Sequence, residues 1–297
     1  MHQLGAESRL PLLNSRQVLD GLRGTAAVLW MPSVAHPSQA GAILRAAAHC
    51  RAVVGLSLSP GTSDLDQLRS EHNPNNFFNA TRQAAEQVDH LAPFVLHVDE
   101  APVDRPAGPV FEAVRDHLSR CLDAGFTSFG IDLSTCEIQS APDIAAGLLP
   151  QVLDLELGVV IRLLVGRQHS VARGAERVSL LVASLKTVGI SADVILLPGI
   201  DELGQDAIAL AETVAPMIAP SGVGLVDSSR ASPDPERIER AFVRTLVAGN
   251  RLGKPSGDQI DPDRLEALAY MEAINILSGR MTSGSAPRMA RTLLRTP

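Results

Sequence analysis

The sequence predicts an α/β protein folded as a (β/α)8 TIM barrel, with an N-terminal cap before the barrel and extra C-terminal helices after it. The 297 residues, 45% of them hydrophobic, have the usual length and apolar content of one such barrel. Short apolar runs alternate with longer alanine-rich amphipathic stretches, as in parallel strands joined by helices. No fixed-period repeat or long linker divides the chain, so we expect one domain covering residues 1–297.

Eight apolar runs are predicted to be strands. They are rich in Leu, Ile and Val, nearly continuous in hydrophobicity, and bounded by Gly, Pro or a charged residue, as strands buried on both faces are. In chain order they are Ala27–Met31, Ala52–Leu58, Phe94–Val98, Thr127–Leu133, Val159–Val165, Ala192–Leu197, Gly222–Val226 and Leu246–Ala248. The eighth run can also be read as the continuation of a helix.

Amphipathic stretches between the runs predict the helices. They are Pro37–His49, Asn76–Asp89, Val110–Asp123, Pro142–Leu157, Val171–Val188, Gln205–Ala219 and Pro233–Ala241, with Asn14–Leu22 ending the N-terminal cap (Met1–Gly24) and Pro262–Leu277 and Ala286–Leu294 following the barrel. Ser232-Pro233 is typical of a helix start. Gly125, Gly158 and Gly189 follow predicted helices where a left-handed residue commonly ends the helix.

Composition argues against several classes of protein. A net charge of −7 and only nine aromatic residues (Phe 7, Trp 1, Tyr 1) disfavour a nucleic-acid-binding face. The three cysteines form no Cys-x-x-Cys motif, which fits a reducing cytoplasm. No apolar run reaches the ~18 residues of a membrane span, and charges interrupt the N-terminal segment as they would not in a signal peptide. We therefore expect a cytoplasmic protein with neither a nucleic-acid nor a membrane partner.

Acidic residues follow four of the predicted strands, at the end of a barrel where active sites lie. They are Asp99 with Glu100, Asp132, Asp201 and Asp227. Carboxylates there can transfer protons or bind a hard divalent metal, but they can equally cap the next helix. Capping is the weaker explanation for Asp99 and Glu100, because Ala101-Pro102 follows and no helix begins at once. Asp99, Glu100 and Asp132 are the candidate catalytic residues.

Other polar residues at the strand ends are candidates for binding substrate. They are His97, Ser134, Arg167, Ser228, Ser229 and Arg230. The last three follow strand 7, where barrels often bind phosphate through loop amides, hydroxyls and a helix N-terminus. For His97 a buried, hydrogen-bonded role in the core is favoured over a binding role. Only Lys186 and Lys254 are lysines, and Lys254 lies in a Gly/Pro/Ser-rich loop unsuited to Schiff-base chemistry.

Three segments resemble the class II (metal-dependent) aldolases, the family of fructose- and tagatose-bisphosphate aldolases. Phe94–Glu100 is similar to that family's strand-3 pattern, apolar-His-x-Asp-His, and Ala124–Ser134 to its strand-4 pattern, Ala-Gly-Phe-Thr-Ser leading to Asp-x-Ser. Ala35-His36-Pro37 and Asn73–Phe77 look like segments of the tagatose-bisphosphate aldolase subunit that lacks the catalytic set. The resemblance covers about residues 17–251. It implies a barrel, a sugar or sugar-phosphate ligand, and Asp99 as the proton-transfer residue.

The chain departs from this family at the metal ligands. Glu100 stands where the family has a histidine, Leu164 where it has a glutamate, and Asp227 where it has a second histidine, and the strand-6 histidine has no counterpart. A site rebuilt from Glu100 and Asp227 favours Mg²⁺ or Mn²⁺ over Zn²⁺. A site without any metal is the alternative.

The resemblance favours a divergent aldolase-type lyase that makes or cleaves a C–C bond next to a carbonyl. Two alternatives stay open: a non-catalytic subunit or pseudoenzyme that supports a partner enzyme, and a barrel repurposed as an isomerase or dehydratase. The C-terminal helices offer apolar faces that suit a homo-oligomer.

Overall fold

The computed structural model describes residues 12–22, 28–34, 37–58, 73–88, 94–163, 171–196 and 246–248, and part of 266–277. The helices are α1 (Ser15–Leu22), α2 (Pro37–Cys50), α3 (Pro74–Gln87), α4 (Pro109–Asp123), α5 (Ala141–Leu148), α6 (Pro150–Asp154) and α7 (Val171–Thr187), with a 3-10 turn at Ile138–Ser140. The strands are β1 (Val28–Trp30), β2 (Val54–Leu58), β3 (Phe94–Pro102), β4 (Ser128–Asp132), β5 (Gly158–Arg162), β6 (Val194–Leu196) and β7 (Leu246–Ala248).

The described strands form one all-parallel sheet in the order β6-β5-β4-β3-β2-β1-β7. Each strand from β1 to β6 pairs with the next along the chain, and β7 returns to pair with β1 from Val28↔Leu246 to Trp30↔Ala248. The α/β class is confirmed, and this order is consistent with a TIM-like barrel. Leu246–Ala248 is a strand rather than a continued helix. The predicted strand Gly222–Val226 and helices Gln205–Ala219, Pro233–Ala241 and Ala286–Leu294 lie outside the described residues.

Alternate residues of each strand face opposite sides of the sheet. One side packs on the helices and contributes buried side chains such as Leu96, Val98, Phe129 and Ile131 to a single hydrophobic core. Burying a side chain of this size contributes about 1.5–3 kcal/mol. The opposite side, which we call the inner face, carries smaller and polar residues, as the in-register trio Ser57, His97 and Ser128 illustrates.

Two of the three predicted glycine caps are confirmed. Gly125 and Gly189 have φ of 96° and 75°, and the amide that follows each returns to the last helical turn, Phe126 N–H to Cys121 at 3.1 Å in the first case. The prediction for Gly158 is wrong, because Glu156, with φ 53°, ends the preceding helix and Gly158 begins β5. The predicted helix Pro142–Leu157 is likewise split into α5 and α6, since Pro150 cannot continue the hydrogen bonding of α5.

The N-terminal segment closes the amino ends of the central strands. Leu13 N–H donates to Phe94 O at 3.0 Å, and Thr127 Oγ1 donates to Leu13 O at 2.6 Å. Arg16 makes a two-point ion pair with Asp193, from Nε to Oδ1 at 2.8 Å and from Nη2 to Oδ2 at 3.2 Å. The described part of the predicted N-terminal cap is thus an amino-end cap, residues 12–22, tied to three strands.

A Cβ at Gly158 would collide with this amino-end cap. It would lie 3.0 Å from Ser15 Cβ and 3.3 Å from Arg16 N. Close approach of α1 to β5 therefore explains this glycine.

No helix in the described residues is both long and apolar enough to cross a bilayer. Cys50, Cys121 and Cys136 are buried free thiols.

Candidate functional site at the carboxyl ends of the strands

A β-bulge interrupts β3 where its two carboxylates lie. Val98 pairs with Phe129 and Ala101 with Ile131, so β3 advances three residues while β4 advances two. Asp99 and Glu100 together therefore stand opposite Gly130. Bulges are uncommon in parallel pairs and are enriched beside active sites.

Gly130 makes room for the bulge. A Cβ on this residue would lie 2.9 Å from Glu100 Cγ, from Glu100 N and from Val98 O. Two of these atoms belong to the backbone, so a side chain could be accommodated only by moving β3. Gly130 in β4 thus permits the bulge in β3.

The bulge brings both carboxylates to the inner face. Strict alternation would turn Glu100 to the same side as Val98, toward the helices. Instead Glu100 Oε1 lies 3.4 Å from His97 Nε2, and His97 is on the inner face. Because a bare carboxylate among apolar helix contacts costs several kcal/mol, the bulge is also the arrangement that permits two adjacent acids in a buried strand.

His97 links Glu100 to β4. Its Nδ1 lies 2.9 Å from Ser128 Oγ, and its Nε2 faces the Glu100 carboxylate. A carboxylate only accepts, so His97 can donate to Glu100 from a protonated Nε2, and in the tautomer with its proton there Nδ1 accepts from the Ser128 hydroxyl. The trio has the composition of a nucleophilic triad. Ser128, however, is completely buried, which makes it an anchor for the ring rather than a nucleophile.

Asp99 accepts a hydrogen bond from Ser33 Oγ, which follows β1. Burial raises the pKa of the Asp99 carboxyl above its usual value, and the adjacent Glu100 charge raises it further. His97 and the hydroxyls of Ser33 and Ser57 act in the opposite direction with smaller effect. Asp99 therefore holds a proton more readily than an exposed aspartate does.

Asp132 and Arg162 form a second polar group one strand away. They are paired in register between β4 and β5, and Arg162 Nε lies 3.8 Å from Asp132 Oδ2. Asp132 Oδ1 also accepts the Ser134 amide at 2.8 Å. The Ser134 hydroxyl is enclosed and has no hydrogen-bond partner in the described part of the chain. Alternation from Ser128 puts Asp132 and Arg162 on the inner face, where Arg162 brings positive charge to the acidic strand ends.

The structure brings together some of the predicted site residues. His97, Asp99 and Glu100 are contiguous, and Asp132 and Ser134 lie on the neighbouring strand end. Arg167, Asp227, Ser228, Ser229 and Arg230 lie outside the described residues, so the predicted phosphate-binding loop and half of the predicted metal pair are not described.

Sequence reasoning missed three hydroxyl residues. Ser33, Ser57 and Ser128 hold or contact the charged groups, but serines in strands and turns are common. The signal that could have found them is their position at the same level of adjacent strands, as in the pairings Ser33↔Ser57 and Ser57↔His97.

The described donors do not converge as a metal site. No group of three or more His, Cys, Asp or Glu residues in the described part of the chain is arranged to hold an ion. Glu100 is directed at His97, Asp99 at Ser33, and Asp132 at its own turn and Arg162. These residues by themselves do not fit the metal that the family resemblance implies.

Solved aldolase structures share this fold. The YdjI aldolase of Escherichia coli K12 aligns over 93% of this chain and 99% of its own, with a TM-score of 0.68 and 12% identity. A Coccidioides immitis protein assigned as a fructose-1,6-biphosphate aldolase aligns over 92% of this chain and 98% of its own, with a TM-score of 0.60 and 19% identity. No family model and no curated protein matches the sequence. At these identities the likeness shows an aldolase-like fold.

Proposed function

We propose that this protein is a divergent class II aldolase-like lyase that makes or cleaves a C–C bond next to a carbonyl. The observation that carries the proposal is the β3 bulge, which gives the carboxyl end of an aldolase-like sheet two adjacent inner-face carboxylates, one of them with a raised pKa. Buried carboxylates with perturbed pKa values lower stability, and they are typical of functional sites.

The two carboxylates suit the two proton transfers of an aldol cleavage. Glu100 takes the proton of the hydroxyl on the carbon beyond the bond to be broken, and that oxygen's electron pair forms a new carbonyl. The C–C electron pair moves to the original carbonyl oxygen, giving an enolate. Asp99 then donates its proton to the enolate carbon, the carbonyl reforms, and solvent returns Glu100 and Asp99 to their starting protonation. Condensation is the same sequence reversed.

Arg162 is the described cation suited to stabilise the enolate oxygen. It lies on the inner face 3.8 Å from Asp132, and a guanidinium there can stabilise a negative charge that develops on a nearby oxygen. Asp132 holds the Arg162 guanidinium in position, and the Ser134 amide donates a hydrogen bond to Asp132.

The substrate proposed is a sugar, sugar phosphate or related polar metabolite. An anionic end would bind Arg167 or the Ser228, Ser229 and Arg230 loop. If Mg²⁺ or Mn²⁺ takes part, Glu100 and Asp227 are the proposed ligands, and no step above depends on it.

We also propose that the sheet is a complete eight-stranded barrel. The predicted strand Gly222–Val226 would lie between β6 and β7, the two edges of the described sheet. Its apolar sequence and its position in the chain support this.

Exchange of a carbon-bound proton tests the proposal without knowledge of the natural substrate. The protein is incubated in D₂O with dihydroxyacetone phosphate or dihydroxyacetone, and loss of the C–H signal next to the carbonyl is followed by NMR. We expect exchange with wild type and a loss of about 10²–10⁴-fold in Asp99→Asn. Asp104→Asn, an exposed carboxylate ion-paired with Arg105, is the matched control and keeps wild-type exchange.

Added short hydroxyaldehydes separate the remaining possibilities. A new C–C bonded product supports the lyase. Exchange without any such product supports an isomerase or dehydratase instead. No exchange with any probe, by a folded protein, contradicts catalysis and favours the non-catalytic subunit.

A further inference from the structure

His97 is buried beneath the site rather than in it. Only 2% of its surface is exposed, so a ligand entering at the strand ends cannot contact the ring. Yet the ring connects two strands through polar atoms, with Ser128 on one nitrogen and Glu100 on the other.

The geometry leaves the Glu100 carboxylate dependent on this ring. Glu100 lies in a bulge, where the regular strand pairing that would fix its backbone is interrupted. Its side chain is 10% exposed, and among the described residues its carboxylate faces His97 Nε2 at 3.4 Å. Ser128, completely buried, restrains the ring from rotating through the 2.9 Å hydrogen bond between its hydroxyl and Nδ1. The direction of Glu100 is thus set from β4 through His97.

We propose that His97 is a positioning residue: anchored by Ser128, it donates from Nε2 to Glu100 and fixes that carboxylate beside Asp99 in the bulge. This inference rests on the proposed function for its kinetic consequence. Its structural part, the His97–Glu100 hydrogen bond, stands independently.

Two amide variants each keep one of the two contacts of the His97 ring. In His97→Asn the side-chain amide coincides with Nδ1, so it can reach Ser128 but not Glu100. In His97→Gln the amide nitrogen coincides with Nε2, so it can still donate to Glu100. Both variants lose the imidazole and similar volume, so each controls for the other's effect on folding, which urea unfolding measures directly.

Proton exchange on dihydroxyacetone phosphate gives the kinetic readout. We expect the exchange kcat to fall about 10–100-fold in His97→Asn, as for a misoriented catalytic group, with little change in KM, and to be largely restored in His97→Gln. We expect the exchange kcat of Ser128→Ala, which frees the ring to turn, to lie between those of the two amide variants. Equal activity of wild type and His97→Asn, or equal loss in the two amide variants, would overturn the proposal.

Infrared difference spectra give a readout that needs no activity. Glu100→Gln minus wild type identifies the Glu100 carboxylate band. That band shifts in His97→Asn and keeps its wild-type frequency in His97→Gln if His97 holds the carboxylate. A band unaffected by either variant overturns the positioning role. A band shift in His97→Asn, together with no proton exchange by the wild-type protein, contradicts only the proposed function.

Discussion

Acidic side chains are paired differently at the two ends of the parallel sheet. At the amino ends, the Asp193 carboxylate accepts both guanidinium contacts from Arg16 and the Val159 amide at 2.8 Å. At the carboxyl ends, Asp99 and Glu100 are adjacent acids, with His97 Nε2 3.4 Å from Glu100 and Arg162 Nε 3.8 Å from Asp132. The amino end holds one carboxylate by short contacts to a cation and an amide, whereas the carboxyl end places two acids side by side.

The contrast separates stabilisation from function. A buried carboxylate with complete partners costs little, whereas a pair of like charges with incomplete partners lowers stability and raises a pKa. Proteins keep such arrangements mainly where chemistry needs them. The amino-end cap therefore stabilises a sheet whose carboxyl end carries an unfavourably buried carboxylate, and removing a carboxylate should change the free energy of unfolding in opposite directions at the two ends.

Breaking the amino-end ion pair should have the largest effect on stability. Asp193→Ala leaves Arg16 without its partner and removes an acceptor from the buried Val159 amide. We expect the free energy of unfolding to fall by about 3 kcal/mol, measured by urea denaturation. Asp154→Ala, at an exposed position on α6, should change it by less than about 0.5 kcal/mol. Equal midpoints for the two variants would contradict the role of the cap.

Filling the space under the bulge should damage the other end. Gly130→Ala places a methyl group 2.9 Å from two backbone atoms of β3. We expect it to lower the free energy of unfolding by about 1–3 kcal/mol and to reduce proton exchange. Gly41→Ala, whose Cβ would meet Ala84 Cβ at an ordinary 3.7 Å in a helix, is the control and should be neutral or stabilising by up to ~1 kcal/mol. If Gly130→Ala retains full stability and exchange, the bulge does not require the glycine.

Removing a carboxylate at the carboxyl end should stabilise the protein. The pKa of Asp99 is raised by folding, so the unfolded chain loses this proton first, and stability falls as pH rises from the unfolded value toward the folded one. Asp99→Asn removes that loss and should raise the free energy of unfolding by about 0.5–2 kcal/mol at neutral pH. We expect no such increase below the pKa that Asp99 has in the unfolded chain. Urea unfolding from pH 3 to 8 measures it. Asp104→Asn serves as the control of opposite sign, because Arg105 lowers the pKa of Asp104; a gain in both variants would rule out this explanation.

A single hydrogen bond of the amino-end cap should give the smallest effect. Thr127→Val removes the donor to Leu13 O without changing side-chain volume and should cost about 1 kcal/mol. Thr187→Val removes an equally short bond, 2.6 Å to Ser184 O, at an exposed helix end, and water can replace it there. The comparison fails if the two variants lose the same amount of stability in urea.

The sequence was sufficient to predict the strands and most helices in the described residues, because double-sided burial leaves continuous apolar runs such as Phe94–Val98 and Ser128–Ile131. It also predicted that Asp99, Glu100 and Asp132 lie toward the carboxyl ends of their strands, since acids that follow apolar runs are conspicuous, although β3 extends through Asp99 and Glu100 to Pro102. It could not predict the bulge. The extra residue of β3 is permitted by Gly130 on β4, and the pairing of strands is not visible in either strand alone.

The roles of glycines show the same limit of prediction from sequence. Gly158 follows a predicted helix and has the residue type of a cap, but its role is set by Ser15, which is distant in sequence. Only contacts across the fold separate a glycine needed for its φ angle from one needed for its missing side chain.

The ion pair of the amino-end cap also determines an order of events during synthesis. Arg16 and Asp193 are 177 positions apart, so α1 leaves the ribosome long before its carboxylate partner exists. β1 to β4 can pair while α1 is still undocked, and the base of the sheet can be sealed only after β6 begins to emerge. Contacts this distant in sequence slow folding, and the Arg16–Asp193 ion pair can form only after the residues that precede β6 have been synthesised.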